Sequence, residues 1–378
     1  MPRLSLMLLL LHVYVGARLL PDLPFGTAGL VLGAAVLLLS AFLIPFGFRM
    51  RRTRPAGRAK VLMWAGLVAV GAFSTLLVLT FGRDVALLVA LGADALLPGE
   101  IPLRALEQWS ALAVPIVTAL LTIIGFRNAR QVAGVRTIDV PIAALPVPLH
   151  GFTIAQITDV HVGPTIGGDH VEAVVDAVNR LEADLVAITG DLVDGSVRQL
   201  AGHTAPLARL RARHGAFFVT GNHEYYSGAH AWIGELRRLG IRVLLNEHVV
   251  LAHDGASLLV AGVTDHSAHH FDPAHRSDPA AAIAGAPADV GVRVLLAHQP
   301  RSAFAAAPAG FDLQLSGHTH GGQFLPWNLF VRFQQPFTAG LARLGRLWVY
   351  TSRGTGYWGP PKRLGAPSEI TFLRLVPE

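Results

Sequence analysis

Two stretches of the first third of the chain, residues 25–48 and 61–81, contain no charged side chain at all. A helix needs about 20 apolar residues to cross a bilayer. In lipid the backbone must satisfy its own hydrogen bonds, so such stretches can only be helices. Residues 109–126 form a third, shorter uncharged run, and residues 4–20 a fourth that carries His12 and Arg18. Arg18 must lie near an interface, where its long side chain can snorkel. A signal peptide is the competing reading of 4–20, weakened by a single basic residue, Arg3, ahead of it and by the lack of a small-residue cleavage site before Pro21. The expectation is a helical membrane domain over residues 1–130 with spans near 4–20, 25–48, 61–81 and 109–126. Residues 85–97 carry Asp94, are too short to span, and read as interfacial or re-entrant. Gly29 and Gly33 form one small-residue packing motif.

The whole chain is 52% hydrophobic and 15% charged, against about 25% charged in a typical soluble domain. This excludes a disordered chain. The absence of cysteine excludes disulfides, thiolate metal sites and a cysteine nucleophile. Charge is divided unevenly: residues 1–136 carry a net +8 and residues 137–378 a net −2. A nucleic-acid-binding domain would concentrate positive charge on itself, so nucleic acid is not expected as a partner. Arg49, Arg51, Arg52, Arg54, Arg58 and Lys60 form a basic stretch with no acid, and Arg127, Arg130 and Arg136 follow the last span. By the positive-inside tendency both stretches face the cytoplasm. That orientation puts the large C-terminal domain on the cytoplasmic side of the cell inner membrane. The spans hold almost no ionisable residue besides His12, which suits an anchor or lipid platform better than a transporter.

Residues 137–378 alternate short apolar runs (152–157, 185–189, 216–220, 257–262, 292–297, 312–315) with amphipathic stretches at 169–181 and 229–239, and end in strand-like runs at 347–351 and 369–375. The pattern predicts an α/β domain with at least partly parallel strands. In open α/β sheets functional groups gather at the carboxyl ends of strands. Those ends read Thr158-Asp159-Val160-His161, then Thr189-Gly190-Asp191-Leu192-Val193-Asp194, then Thr220-Gly221-Asn222-His223-Glu224, then Ala297-His298-Gln299-Pro300, then Ser316-Gly317-His318-Thr319-His320-Gly321-Gly322-Gln323. Five of the chain's 17 histidines lie in these blocks. Any one block could be a cap or a surface turn. Five in a row, each ending an apolar run, point to a site built from carboxylate, amide and imidazole ligands. Such ligands suit Mn, Fe or Zn, and a mixed set can hold two ions for phosphoryl displacement.

This ordered set of motifs resembles the calcineurin-like metallophosphoesterases, and most of all the bacterial branch with an N-terminal transmembrane region. The resemblance covers residues 136–378 and implies a four-layer α/β/β/α sandwich with two divalent ions per chain, Mn first and Fe or Zn as alternatives. Carried over by motif, one ion takes Asp159, His161, Asp191 and His320. The other takes Asp191, Asn222, His298 and His318, with Asp191 shared. His223 is implied as the residue that contacts the phosphate and stabilises or protonates the leaving oxygen. The implied activity is hydrolysis of a phosphoester or pyrophosphate by metal-activated hydroxide. The implied partners are the bilayer and a phosphorylated small molecule or lipid. A nuclease or soluble-nucleotide phosphodiesterase, and a non-catalytic metal-binding membrane protein, are the alternatives.

Other residues read less sharply. Asp194 either orients a ligand or caps a helix, and Glu224 reads as structural. Asp265, His266, His269 and His270 form a His-rich loop that either lines the substrate mouth or is simply solvated. Arg353, Lys362 and Arg363 are candidates to meet a phosphate, Arg363 being the substrate-binding choice. Gly354-Thr355-Gly356-Tyr357-Trp358-Gly359 matches a dinucleotide-binding fingerprint, but Pro360-Pro361 prevents a helix from opening there.

Overall fold

The computed structural model describes residues 2–51 and 56–378; Arg52 and Arg54 of the basic stretch lie outside the described residues. The chain divides into two compact units, residues Met1–Arg130 with Gly359–Leu364, and Gln131–Trp358 with Gly365–Glu378.

Among the described residues the first unit has four α-helices: α1 (Pro2–Leu19), α2 (Gly26–Arg51), α3 (Gly57–Leu96) and α4 (Leu103–Arg130). All four are long and apolar enough to cross a membrane. Val15 and Leu19 of α1 are buried against Ile44, Phe73 and Val114 from the other three helices. His12 stacks on Phe73 with ring centroids 3.6 Å apart, and its Nε2 lies 3.2 Å from Ser40 Oγ. Helices α2 and α3 approach most tightly at Gly47 and Gly66, where a Cβ on either residue would stand 2.9 Å or less from the other helix's backbone. This is the small-residue contact expected between membrane helices. It does not occur at Gly29 and Gly33, which face Phe25 and Leu20.

Two expectations are corrected here. Residues 85–97 are not a separate re-entrant piece: most of them continue α3, which runs 40 residues without a break. The charges at the middle of this helix find partners inside the bundle, so the helix has no need to end. Arg83 is buried and pairs with Asp22, donates to Arg18 O at 2.7 Å and to Ser110 Oγ at 2.9 Å, while Asp84 accepts from Arg18 and from Tyr14. Second, residues Gly359–Leu364 group with the helices although they lie late in the sequence. Lys362 Nζ donates to Gly71 O at 2.8 Å and to Thr75 Oγ1. Arg363 is buried, donates its N–H to Gly125 O at 2.9 Å, and accepts from Asn128 Nδ2 at 3.2 Å.

The second unit has two six-stranded sheets. One is ordered β1 (Gly134–Ile142), β12 (Glu369–Pro377), β2 (Thr153–Ile157), β3 (Leu185–Ile188), β4 (Ala216–Phe218), β5 (Arg242–Val243). The other is ordered β10 (Gly340–Leu344), β11 (Leu347–Thr351), β9 (Leu313–Ser316), β8 (Val292–Leu296), β7 (Ala256–Gly262), β6 (Glu247–His253). Strands β2 to β5 are mutually parallel, as are β7, β8, β9 and β11. The centres of both sheets are buried on both faces, which explains the continuous apolar runs in their strands. Ile154, Leu185 and Phe217 from the first sheet share one core with Leu258, Val294, Leu313 and Tyr350 from the second, so the sheets pack face to face. The outer face of the second sheet, through Leu259, Ala261, Leu295 and Val349, packs on Ala282 of α9 (Pro279–Ile283) and on Ala303 and Ala306 of α10 (Ala303–Ala309). Beside the first sheet, α5 (Gly168–Asn179), α6 (Val197–Thr204) and α8 (Ala229–Arg238) bury Val171, Val174, Leu200, Trp232 and Leu236. Mixed α/β sheets of this kind, following four apolar helices, are the fold class expected from the sequence.

Candidate metal centre

The expected ligands sit where the parallel strands of both sheets end. Asp159 and His161 follow β2, Asp191 follows β3, and Asn222 and His223 open α7 (Asn222–Ser227) after β4. His298 follows β8, and His318 and His320 follow β9. Asp159, His161, Asp191, His318 and His320 all have φ between +49° and +71°. Non-glycine residues adopt this left-handed conformation rarely, at about 1–3 kcal/mol each. The two-sheet core offsets that cost, since one fully buried Leu or Ile contributes roughly 1.5–3 kcal/mol. Strain concentrated on these side chains marks a site, because nothing in strand packing requires it.

Two groups of ligand atoms result. In the first, Asp159 Oδ1 is 3.4 Å from His320 Nε2 and 4.0 Å from His161 Nε2, and the two imidazole nitrogens are 3.0 Å apart. In the second, His298 Nε2 is 3.2 Å from Asp191 Oδ2 and 3.2 Å from His318 Nδ1. The groups adjoin: the His223 ring is 4.6 Å from that of His161, and its Nε2 is 3.9 Å from Asp191 Oδ2. Asn222 Oδ1 is buried and has no hydrogen-bond partner. A buried carbonyl oxygen left alone costs about 1–3 kcal/mol. A cation beside Asn222 would relieve that cost, and the clustered carboxylates and imidazoles offer it further donors, so the donor set fits divalent ions.

The atoms not facing the centre are fixed from behind. His298 Nδ1 donates to Thr189 O at 2.8 Å, which leaves Nε2 turned toward Asp191 and His318. Asp194 accepts from His161 Nδ1 at 3.3 Å and from His223 Nδ1. Asp159 accepts the backbone N–H of His318 at 2.9 Å, and Asp191 that of His223 at 2.8 Å. Glu224, buried, accepts three backbone N–H groups, those of Gly221 at 2.7 Å, Leu192 at 2.8 Å and Asp191 at 3.0 Å. It braces the turns that carry Asp191 and Asn222. The loop that mimics a dinucleotide fingerprint serves another end: Thr355 and Gly356 donate to Thr158 O and Asp159 O at 2.8 and 3.0 Å, supporting the strand end from the far side. A Cβ on Gly221 would lie 2.2 Å from Asp191 Oδ1, and one on Gly317 would lie 2.1 Å from Asp159 Oδ2. Only glycine lets these backbones approach the carboxylates.

The electrostatics follow the packing. Burial alone pushes the Asp191 carboxyl up, but His298, His223 and His161 around it outweigh that and hold it well below the usual range. Burial likewise works against the His298 cation, yet Asp191 raises it well above the ordinary histidine value. His318 goes the other way: burial and the neighbouring His298 push it down to about 4, so its ring is neutral at neutral pH. Burial and the charge of Asp191 push Glu224 up to about 8, against its N–H donors.

Thus Asp159, His161, Asp191, Asn222, His223, His298, His318 and His320 come together, and Asp194 joins them. Arg363 is placed by its backbone bonds with the helical unit. Aromatic residues that no motif marked surround His223: Tyr226 with rings 5.2 Å apart and Trp358 at 6.3 Å. The Trp358 backbone is fixed on both sides by Gln323, the last residue of the fifth motif.

A site of two adjoining carboxylate–imidazole groups at the strand ends of a double-sheet sandwich defines a metal-dependent hydrolase class. The calcineurin-like phosphoesterase profile matches residues 152–322. The chain is 33% identical over 269 residues to an uncharacterized metallophosphoesterase of Campylobacter jejuni, a match covering 70% of this chain and 69% of that one. It is 41% identical over 284 residues to a Bos taurus protein described as a transmembrane protein with metallophosphoesterase domain, covering 72% of this chain and 63% of the bovine one. A Danio rerio protein of the same description is 37% identical, with 61% of its length covered. The chain therefore spans less than two thirds of those two vertebrate relatives. It belongs to the calcineurin-like metallophosphoesterases, a family that generally uses divalent metals, and it is a membrane protein with several apolar helices.

Proposed function

We propose that this protein is a membrane-anchored phosphohydrolase with a two-ion centre, acting on a phosphoester or pyrophosphate whose alcohol or phosphate is lipid-linked. The observation that carries this reading is the orphaned, buried Asn222 Oδ1 beside two groups of facing imidazole nitrogens. Asp159, His161 and His320 would hold one ion and Asn222, His298 and His318 the other, with Asp191 shared. Mn is the first choice and Fe or Zn the alternatives. Bound ions would supply Lewis acidity at the phosphoryl oxygens and an activated nucleophile. The protein's own part is positioning and proton transfer. Asp194 holds His223 through Nδ1, so Nε2 is the nitrogen left to donate a proton to the leaving oxygen. Tyr226 and Trp358 pack edge-on against the His223 ring and help fix its orientation.

The lipid-linked substrate is supported by the four apolar helices in the same chain. The cytoplasmic placement of the catalytic unit at the cell inner membrane is supported by the basic stretch around Arg49 and Lys60 and by Arg127, Arg130 and Arg136. The net charge of −2 over residues 137–378 argues against nucleic acid as substrate. The test is turnover of a chromogenic phosphodiester with Mn²⁺, wild type against Asp191→Asn, followed by a lipid-linked pyrophosphate in mixed micelles against its water-soluble headgroup analogue. Equal activity of wild type and Asp191→Asn removes the mechanism. Equal turnover of the two pyrophosphates removes the lipid-linked substrate alone.

A further inference from the structure

The His-rich segment after β7 is not a loose surface loop. It runs through Asp265, His266, His269 and His270 to Asp272 and His275, and its end meets α8 in a second cluster, separate from the centre above. His230 Nε2, from α8, lies 2.9 Å from Asp272 Oδ2. His275 Nε2 lies 3.9 Å from the same oxygen, and the His230 and His275 rings are 5.0 Å apart. One ligand atom from each of the three residues falls within 4.8 Å of the others.

An ordinary ion pair explains His230 with Asp272 but not the aim of His275. Its Nε2 is too far from Asp272 for a hydrogen bond, yet points at the same oxygen. Its Nδ1 is already engaged, 2.8 Å from Tyr225 OH, and Tyr225 OH is in turn 3.3 Å from Thr220 Oγ1. The His275 carbonyl is also held, accepting from Thr264 Oγ1 at 2.8 Å. Asp272 is divided in the same way: Oδ1 caps the backbone N–H of Ala274 at 3.0 Å and Oδ2 is left for the imidazoles. Fixing the rear atom of a ligand by a neighbour is the pattern of metal sites. A tetrahedral Zn²⁺ with bonds of about 2 Å spaces its ligand atoms roughly 3.3 Å apart, between the two distances seen here. His230 is largely exposed, which leaves the fourth position to water.

We propose that His230, Asp272 and His275 form a third metal site, suited to Zn²⁺, that fastens the segment over residues 266–276 to α8. Fastening matters because of what the segment carries. Phe271 packs on Tyr226 with rings 5.5 Å apart, and Tyr226 packs on His223. The clip therefore sets the aromatic wall beside His223 without touching the centre itself, and it stands whether or not two ions bind there.

The test counts metal in the full chain in detergent, stripped with a chelator and dialysed against micromolar Zn²⁺. His230→Ala and His275→Ala are each expected to bind one ion fewer than wild type, while Asp191→Asn keeps the ion they lose. His230 is exposed, so its replacement leaves the core intact. Hydrogen exchange of residues 268–275 is expected to slow on Zn²⁺ addition in wild type and not in His230→Ala. A wild-type ion count in either histidine variant overturns the proposal, as does exchange over 268–275 that ignores Zn²⁺ in wild type.

Discussion

Replacing Gly317 by alanine adds one methyl group at the most crowded point of the centre. The new Cβ would stand 2.1 Å from Asp159 Oδ2 and 2.2 Å from Thr158 Oγ1. Ordinary contact begins near 3.5 Å, so the carboxylate or the loop bearing His318 and His320 must move by about 1 Å or more. Asp159 cannot swing freely, because Thr158 Oγ1 donates to it at 2.7 Å and the His318 N–H at 2.9 Å. Forcing a methyl group into such packing costs about 1–3 kcal/mol, which for a unit of this size lowers the melting temperature by several degrees. A displacement of about 1 Å at reacting groups costs on the order of 100-fold in rate. The expectation for Gly317→Ala is therefore a folded protein with a modestly lower melting temperature, roughly 100-fold slower Mn²⁺-dependent diester turnover and weakened binding of one ion. Gly202→Ala is the matched control: it lies in α6 and a Cβ there meets nothing within 4 Å. It should keep full activity and gain stability slightly. If Gly317→Ala turns over at the wild-type rate with the wild-type ion count, the close-packing argument is wrong.

The remaining predictions follow from the same contacts. Asp194→Ala removes the carboxylate that orients His223 and His161; kcat should fall 10- to 100-fold, and an unchanged kcat would show that His223 needs no such support. Glu224→Gln replaces an acceptor of three backbone N–H bonds by a side chain with one carbonyl oxygen. Above about pH 8, where the Glu224 carboxyl is charged, the loss should be about 1–3 kcal/mol, read as a lower melting temperature in detergent and shrinking as the pH falls below 8; an unaltered melting curve at pH 9 would count against the brace. Chelating the metal should abolish turnover and lower the melting temperature, since an ion present at 100 times its Kd stabilises by about 2.7 kcal/mol; re-addition of Mn²⁺ should restore both, and a chelator-insensitive activity would contradict the account. Arg83→Leu breaks the pairing of a buried guanidinium with Asp22 and Asp84 and should lower the melting temperature of the detergent-solubilised protein, while thermal stability equal to wild type would mean that the cluster does not hold the bundle.

What could be read from the sequence and what could not divide along a physical line. Strand ends were legible because the central strands are covered on both faces, which makes them continuous apolar runs with polar residues just beyond. The candidate ligands Asp159, Asp191, Asn222, His298 and His318 were picked out in this way. The brace by Glu224 was not legible, because it depends on three backbone groups from two separate turns meeting one carboxylate. The role of Asp194 was half visible in its spacing from Asp191, but a cap and an orienting carboxylate have the same local pattern. The backbone bonds from Thr355 and Gly356 to the β2 strand end join residues almost 200 positions apart, and no local signal announces them. In the helical unit residues 85–97 read as a separate interfacial or re-entrant piece beyond Arg83 and Asp84. The helix continues because their partners Asp22, Arg18 and Tyr14 come from elsewhere in the bundle. Lys362 read as a candidate to meet a phosphate, and its engagement by Gly71 and Thr75 was not legible, because those helix residues lie about 290 positions away.

The central claim, that two divalent ions share Asp191, is tested most directly by electron paramagnetic resonance of the full chain loaded with Mn²⁺. Two Mn²⁺ ions about 3.5–4 Å apart should give an exchange-coupled spectrum, which Asp191→Asn should reduce to that of isolated ions. An uncoupled Mn²⁺ spectrum from the fully loaded wild type would contradict it.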